Sequence, residues 1–176
     1  MTILNSLLLG LCLTLLSQCS PVANTSSNQP SYLVSFVDTK GEYGYQDAFG
    51  RTIIPLGKYL ICYTDTFRTF AIVSKRKAGL VAINRAEKVL YEVFPFDNGP
   101  DYPEEGLFRI TKSGKIGYAD ARTGLVVIQP SFTCAFPFIN GRAKVSNECT
   151  SQTDGEHRSW VSEKWFYIDK QGQEVK

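Results

Sequence analysis

From about Tyr32 onward, apolar residues recur with a period of two in short runs broken by Gly, Asp, Asn and Pro. That is the pattern of β-strands joined by tight turns. Tyr43/Tyr45, Ile116/Tyr118 and Trp165/Tyr167 each flank one central residue, so each pair shares a face of an extended strand, and those faces are expected to form the core. Downstream come Asp47-Ala-Phe-Gly50, Asp120-Ala-Arg-Thr-Gly124 and Asp169-Lys-Gln-Gly172. In each the Asp is suited to bond its own turn backbone and the Gly to take a positive φ, so these are hairpin turns. The returning strands are Thr52-Ile-Ile54, Leu125-Val-Val-Ile128 and Glu174-Val175. Pro55 and Pro130 follow the first two, which places those strands at a sheet edge or ends them there. The first residues differ: Ile3 to Leu16 is one almost unbroken apolar run.

The strand–turn phrase repeats. With Gly44, Gly79, Gly117 and Phe166 taken as equivalent, the intervals are 35, 38 and 49 residues, a period near 35 to 38 with one long insertion. A second marker runs in phase: Ala71, Phe108 and Ala143 are 37 and 35 residues apart. The copy at 77 to 90 lacks the Asp and Gly signals and is assigned by phase alone. About four copies fill residues 32–176, and no single copy is able to bury its own apolar face. The expectation is all-β: a solenoid-like array of antiparallel hairpins or meanders, with a small closed barrel or a propeller-like arrangement as the alternative. Gly44 and Gly117, in strand interiors, imply close approach of another backbone or a bulge.

Gly114-Lys-Ile-Gly117-Tyr-Ala-Asp120, then Gly124, Pro130, Phe136-Pro-Phe138 and Gly141-Arg-Ala143-Lys-Val145, resembles the WG-repeat (KWG) family over most of residues 32 to 176. The Trp-Gly pair itself is split: Tyr43-Gly44, Ala78-Gly79 and Ile116-Gly117 keep the Gly, while Trp165-Phe166 keeps the Trp. The resemblance implies a β-repeat scaffold used for binding, often exported, with no catalytic residues to carry over.

The apolar run at 3 to 16 is short for a membrane span and right for the h-region of a signal peptide, residues 1–18. Leu16-Ser17-Gln18-Cys19 resembles a bacterial lipobox, which implies acylation of Cys19. Residues 19–31 then form a polar, flexible leash; its twelve residues from Ser20 to Ser31 reach roughly 20 Å as a coil. The expected location is the bacterial cell envelope, lipid-anchored on the periplasmic or surface side, with a secreted or soluble periplasmic form as the alternative. The membrane is then a partner only through the anchor.

Net charge is +2 and the longest basic run is Lys75-Arg-Lys77, so nucleic acid is not an expected partner. Beyond Cys12 and Cys19 there remain Cys62, Cys134 and Cys149, without C-x-x-C spacing, which removes zinc-ribbon and thioredoxin-like readings. Cys134 and Cys149 lie nearly symmetrically about Asn140-Gly141, a strong hairpin dipeptide, so antiparallel strands would bring them together, and export would permit the disulfide. Cys62 is expected to be a buried small hydrophobe.

No cofactor motif or metal set is present in the sequence. Asp97 to Glu105 is an oxygen-rich Pro/Gly loop of the kind hard cations prefer, but its spacing is not that of an EF-hand, and solvation alone accounts for it. His157, the single histidine, lies in the insertion from Asn147 to Glu163, with Asp154-Gly155 suggesting an extra hairpin. Most of the 22 aromatic residues belong to the core, and Trp160 in the insertion is the candidate exposed ring. The candidate partner-binding residues are therefore Trp160, His157, Asp101 and Glu104.

The expected function is non-enzymatic: an anchored scaffold presenting its surface to an envelope protein or cell-wall glycan. One alternative is an exported hydrolase using carboxylates of the 97–105 loop or His157. Another is a structural periplasmic module with no small-molecule ligand.

Overall fold

The computed structural model describes residues 31–155 and 157–176; the side chains of Asp154, His157 and Arg158 are outside that description, as are residues 1–18, Cys19 and most of the leash. The protein is all-β, and no helix occurs among the described residues. The first copy is a three-stranded antiparallel meander of β1 (Leu33–Val37), β2 (Tyr43–Gln46) and β3 (Thr52–Tyr59). Two short strands follow, β4 (Ile61–Cys62) and β5 (Thr66–Phe67). The second copy is β6 (Phe70–Lys75), β7 (Gly79–Asn84) and β8 (Val89–Val93), followed by a small hairpin, β9 (Pro95–Phe96) and β10 (Gly99–Pro100). The third is β11 (Leu107–Lys112), β12 (Lys115–Asp120) and β13 (Val126–Phe132), continued by β14 (Cys134–Ala135). The fourth opens with β15 (Ala143–Ser146). It then inserts a hairpin, β16 (Thr150–Asp154) and β17 (His157–Val161), and ends with β18 (Phe166–Ile168) and β19 (Glu174–Val175).

One rule links the copies. Each hands its third strand, or the residues just after it, to the first strand of the next: Cys62 opposite Val73, Val93 opposite Ile110, and Ala135 opposite Val145. The middle handover fuses two copies into a seven-stranded sheet flanked by two four-stranded ones, and no sheet closes into a barrel. Apolar clusters lie between successive copies. Tyr45 and Phe67 pack with Val73 and Val81, Val93 with Phe108 and Ile110, and Tyr118 and Phe138 with Val145 and Ile168. The mutual support expected of repeats is thus literal: each core is shared between neighbours.

The turns fix the phase of the copies, and correct it. Asp47, Asp120 and Asp169 each accept two backbone amides of their own turn at 2.7–3.1 Å. Asn84 does the same for Ala86 and Lys88, both at 3.0 Å, and Glu87 takes the positive φ (58°) that Gly50, Gly124 and Gly172 take elsewhere. The second copy therefore has its turn, built from Asn and Glu instead of Asp and Gly. Counting back three residues from each turn anchor makes Val81 the equivalent of Gly44, Gly117 and Phe166, and displaces Gly79 by two residues.

That shift explains the central glycines. β3 and β13 do not stop at Pro55 and Pro130; they run through them at the edges of their sheets, with a register irregularity opposite Gly44 and Gly117. There the edge backbone crosses over the glycine: a Cβ on Gly117 would lie 2.4 Å from the Ile128 carbonyl oxygen and 2.6 Å from Pro130 N. β8 and β19 contain no proline, and the matching residues Val81 and Phe166 carry side chains.

Of the flanking aromatic pairs, Tyr45 and Tyr118 are fully buried, and each hydroxyl donates to a backbone carbonyl of the segment leading to the next copy: Thr64 at 2.8 Å and Phe136 at 2.6 Å. Tyr167 departs from expectation, being 45% exposed.

Cys134 and Cys149 form a disulfide with a Cα–Cα distance of 6.2 Å. The hairpin turn is Asn140-Gly141, both at positive φ, between the bridged Ile139 and Arg142. Cys134 faces Ser146, not Cys149, so the chain must turn back after β15. Ser146 directs that turn, its Oγ donating to the Glu148 carbonyl at 2.8 Å. Cys62 is buried and free, and burial pushes its thiol up to about 11.

Candidate functional site

The two extra hairpins, β9–β10 and β16–β17, interrupt the regular meander, and the structure brings them together. Between them lies a cleft of ≈790 Å³ walled by Phe94, Pro95, Phe96, Phe136, Pro137 and Trp160, with Ser151, Ser159 and Asp97 as further lining and Arg109 beneath. The volume falls within the range of small-ligand sites, about 300–1,000 Å³.

Arg109 and Asp101 are both almost fully buried. Asp101 accepts the Arg109 backbone amide at 2.8 Å and Nε at 3.0 Å on Oδ2, and Nη2 on Oδ1. Arg109 Nη1 donates to the Ala135 carbonyl at 3.2 Å. A guanidinium has five N–H groups. Three are used, leaving one on each terminal nitrogen. The Phe94 ring lies against the guanidinium at 4.2 Å and the Phe96 ring at 5.8 Å, a cation–π arrangement.

The repeat register shows that this pair is a local departure. Asp101 stands eight residues before Arg109 just as Thr64 stands eight before Ile72, and the Ile72 amide donates to Thr64 Oγ1 at 2.9 Å as the Arg109 amide does to Asp101. A neutral pair therefore serves the same backbone position one copy earlier. Under the cleft it is replaced by charges.

From the cleft the rings continue in both directions. Tyr102 meets Phe96 edge-on at 5.9 Å; Phe94 meets Trp160 at 5.9 Å; Trp160 meets Phe136 at 5.4 Å; Phe136 meets Trp165 at 5.5 Å. Lys144, at the strand position equivalent to Arg109, closes the series with Nζ 4.9 Å from the Trp165 ring. The result is a stripe of six rings interleaved with two cations along the third and fourth copies. Tyr102 is 63% exposed and Phe96 49%.

The residues singled out from sequence divide unevenly. Trp160 is in the cleft wall but half-buried, one side packed into the core cluster of the fourth copy, so it is not a freestanding exposed ring. Asp101 is under the cleft, with both carboxylate oxygens engaged by Arg109. Glu104 is exposed on a tight turn completed by Glu105 and Gly106, both at positive φ, and lies outside the cleft. His157 pairs with Asp154 at the tip of the β16–β17 hairpin, and its side chain lies outside the described part. Glu105 ties the third copy to the fourth: it pairs with Lys170 at 3.0 Å and accepts the Gly141 amide. The Lys170 ammonium holds the Glu105 carboxyl below its usual range. Among the described residues no three His, Cys, Asp or Glu side chains gather as a metal set.

Phe94, Phe96, Phe136 and Arg109 were not marked as site residues by sequence. The available signal was Arg109 itself, a cation at a strand position held by Ser35 and Ile72 in the first two copies.

Fold and site together define an all-β repeat protein with an aromatic, cation-floored cleft between two inserted hairpins. No family model, curated protein or solved structure matches the chain. The WG-repeat resemblance rests on the residues quoted for it.

Proposed function

We propose that the protein is a non-enzymatic, envelope-anchored β-repeat scaffold that holds an envelope partner on its aromatic stripe. The observation that carries this reading is the series of rings from Tyr102 to Trp165, joined between Phe96 and Phe94 by the Arg109 guanidinium and built where the copies depart from their shared pattern. Regular positions of the repeat are accounted for by packing and turn chemistry, whereas exposed Phe96 and Tyr102 contribute little to the core. Aromatic rings with one face wet are the usual anchors of recognition surfaces. The WG-repeat resemblance supports the scaffold part of the reading. Purified protein is expected to co-sediment with isolated cell-wall sacculi or to be retained on an envelope-protein extract, and a Phe96→Ser/Tyr102→Ser variant to lose that retention. Equal retention of the variant would remove the stripe from the function.

The anchored location is supported by the apolar 3–16 run, by Cys19, and by the disulfide between Cys134 and Cys149, a bond that persists in oxidising compartments. In a bacterial host, labelled palmitate is expected to enter the wild type and not Cys19→Ser. Label retained by that variant refutes acylation at Cys19.

A further inference from the structure

We infer that the cleft takes an uncharged oligosaccharide, its sugar rings lying against the aromatic stripe. The inference rests on the scaffold reading above and specifies its ligand.

Charge is the first argument. The cation at the floor, Arg109, is matched by Asp101 and buried with it, so the floor presents hydrogen-bond donors without net charge. A ligand anion would meet a carboxylate behind the guanidinium, and the lining adds a second carboxylate, Asp97, with no other cation among the described residues. A ligand ammonium would face the guanidinium itself. The matched pair at the floor therefore favours neither sign of ligand charge.

Chemical pattern is the second. The walls are rings and prolines, while the polar residues of the lining are Ser151, Ser159, Asp97 and Arg109, whose guanidinium keeps two N–H groups unused. A pyranose has the matching division: C–H faces that lie on aromatic rings, and an edge of hydroxyls that both donate and accept. A wholly apolar ligand would leave those groups desolvated without partners.

Shape is the third. The cleft is open and continues into the exposed Phe96–Tyr102 pair on one side and Phe136–Trp165 on the other, a linear series suited to successive units of a chain. β9 and β10 carry Pro95 and Pro100, which lack the N–H that an added peptide strand would need there.

The chain supplies its own reporter, because its only two tryptophans, Trp160 and Trp165, both belong to the stripe. In the full-length protein, titration with chitotetraose and with cellotetraose, at up to millimolar concentrations, is expected to give a saturable change in tryptophan emission with at least one of them. Phe96→Ala should weaken it about tenfold, as loss of one aromatic anchor does. Phe49→Ala, removing an 85% exposed ring away from the cleft, should leave it unchanged. Silence toward both tetrasaccharides overturns the inference. So does a response equal in wild type and Phe96→Ala. If retention on sacculi or envelope extract still depends on Phe96 and Tyr102, the scaffold reading survives that failure and the ligand is a protein or a charged polymer; if it does not, both fall.

Discussion

Asp101→Ala is expected to destabilise the protein by about 3–5 kcal/mol, because it leaves the Arg109 guanidinium buried without its counter-charge. A loss of that size is a large part of a domain's usual margin of about 5–15 kcal/mol. Arg109→Ile alone should cost a similar amount, for then the Asp101 carboxylate is the orphan. The double change Asp101→Thr with Arg109→Ile is the decisive case. It installs the neutral pair that the second copy uses at the same register, where the Ile72 amide donates to Thr64 Oγ1. Because burying two charges offsets most of their attraction, the double variant should recover to within about 1.5 kcal/mol of the wild type in urea unfolding. It should also lose ligand response in the cleft, having removed the donors of the floor. If the two single losses simply add, the pair is not a substitutable module of the repeat and the comparison between copies fails.

The same comparison shows which parts of the molecule were open to reading from sequence. Alternating aromatics, Asp-led turns and Gly in a strand interior are local signals, and they gave the all-β repeat architecture and the close approach over Gly44 and Gly117. The second copy misled by two residues because Asn84 and Glu87 do the work of Asp and Gly: Asn accepts turn amides equally well, but Glu at positive φ has no propensity to advertise it. Gly79 was then the nearest available glycine, and it belongs instead to the preceding turn at φ 69°.

The site was legible only in halves. The 97–105 loop and the 147–163 insertion both stood out as departures from the period, yet nothing local says that two departures 50 residues apart will meet. They meet because handovers between copies run in one direction along the array, so an insertion before β11 and one after β15 emerge beside each other. Phe136 was hidden by the opposite effect, since Phe136-Pro-Phe138 belongs to the repeat pattern: Phe138 is fully buried, and Phe136 is 38% exposed and turned to the stripe.

Gly117→Ala carries the other large expected effect. Gly117 does not have a positive φ, so the cost is steric and not conformational. The new Cβ would sit 2.4 Å from Ile128 O, 2.6 Å from Pro130 N and 2.8 Å from the Gln129 carbonyl carbon. All three are backbone atoms of β13, an edge strand whose irregular register is fixed on one side by Ile116 opposite Phe132 and on the other by Tyr118 opposite Ile128. No flexible side chain is available to give way, and relief requires moving a strand that packs Ile128 and Phe132 into the core of the last two copies. Overpacking a core side chain costs about 1–3 kcal/mol and occasionally more; against rigid backbone the upper end, about 3 kcal/mol, is expected. Gly44→Ala provides an internal scale. Its Cβ would lie 2.8 Å from Ile54 O, 3.0 Å from the Phe36 ring and 3.2 Å from Leu56 N, so one of the three contacts is with a side chain and each is looser. About 1–2 kcal/mol is expected there. At Val81, the same register position without a proline bulge opposite, a side chain is already accommodated, and Val81→Ala should lower stability through lost packing, not through strain. The rank order of unfolding midpoints, Gly117→Ala below Gly44→Ala, tests the register directly: if the two are equal, or Gly117→Ala is neutral, the edge strand does not cross where the structure places it, and the equivalence of Gly117 with Val81 is lost with it.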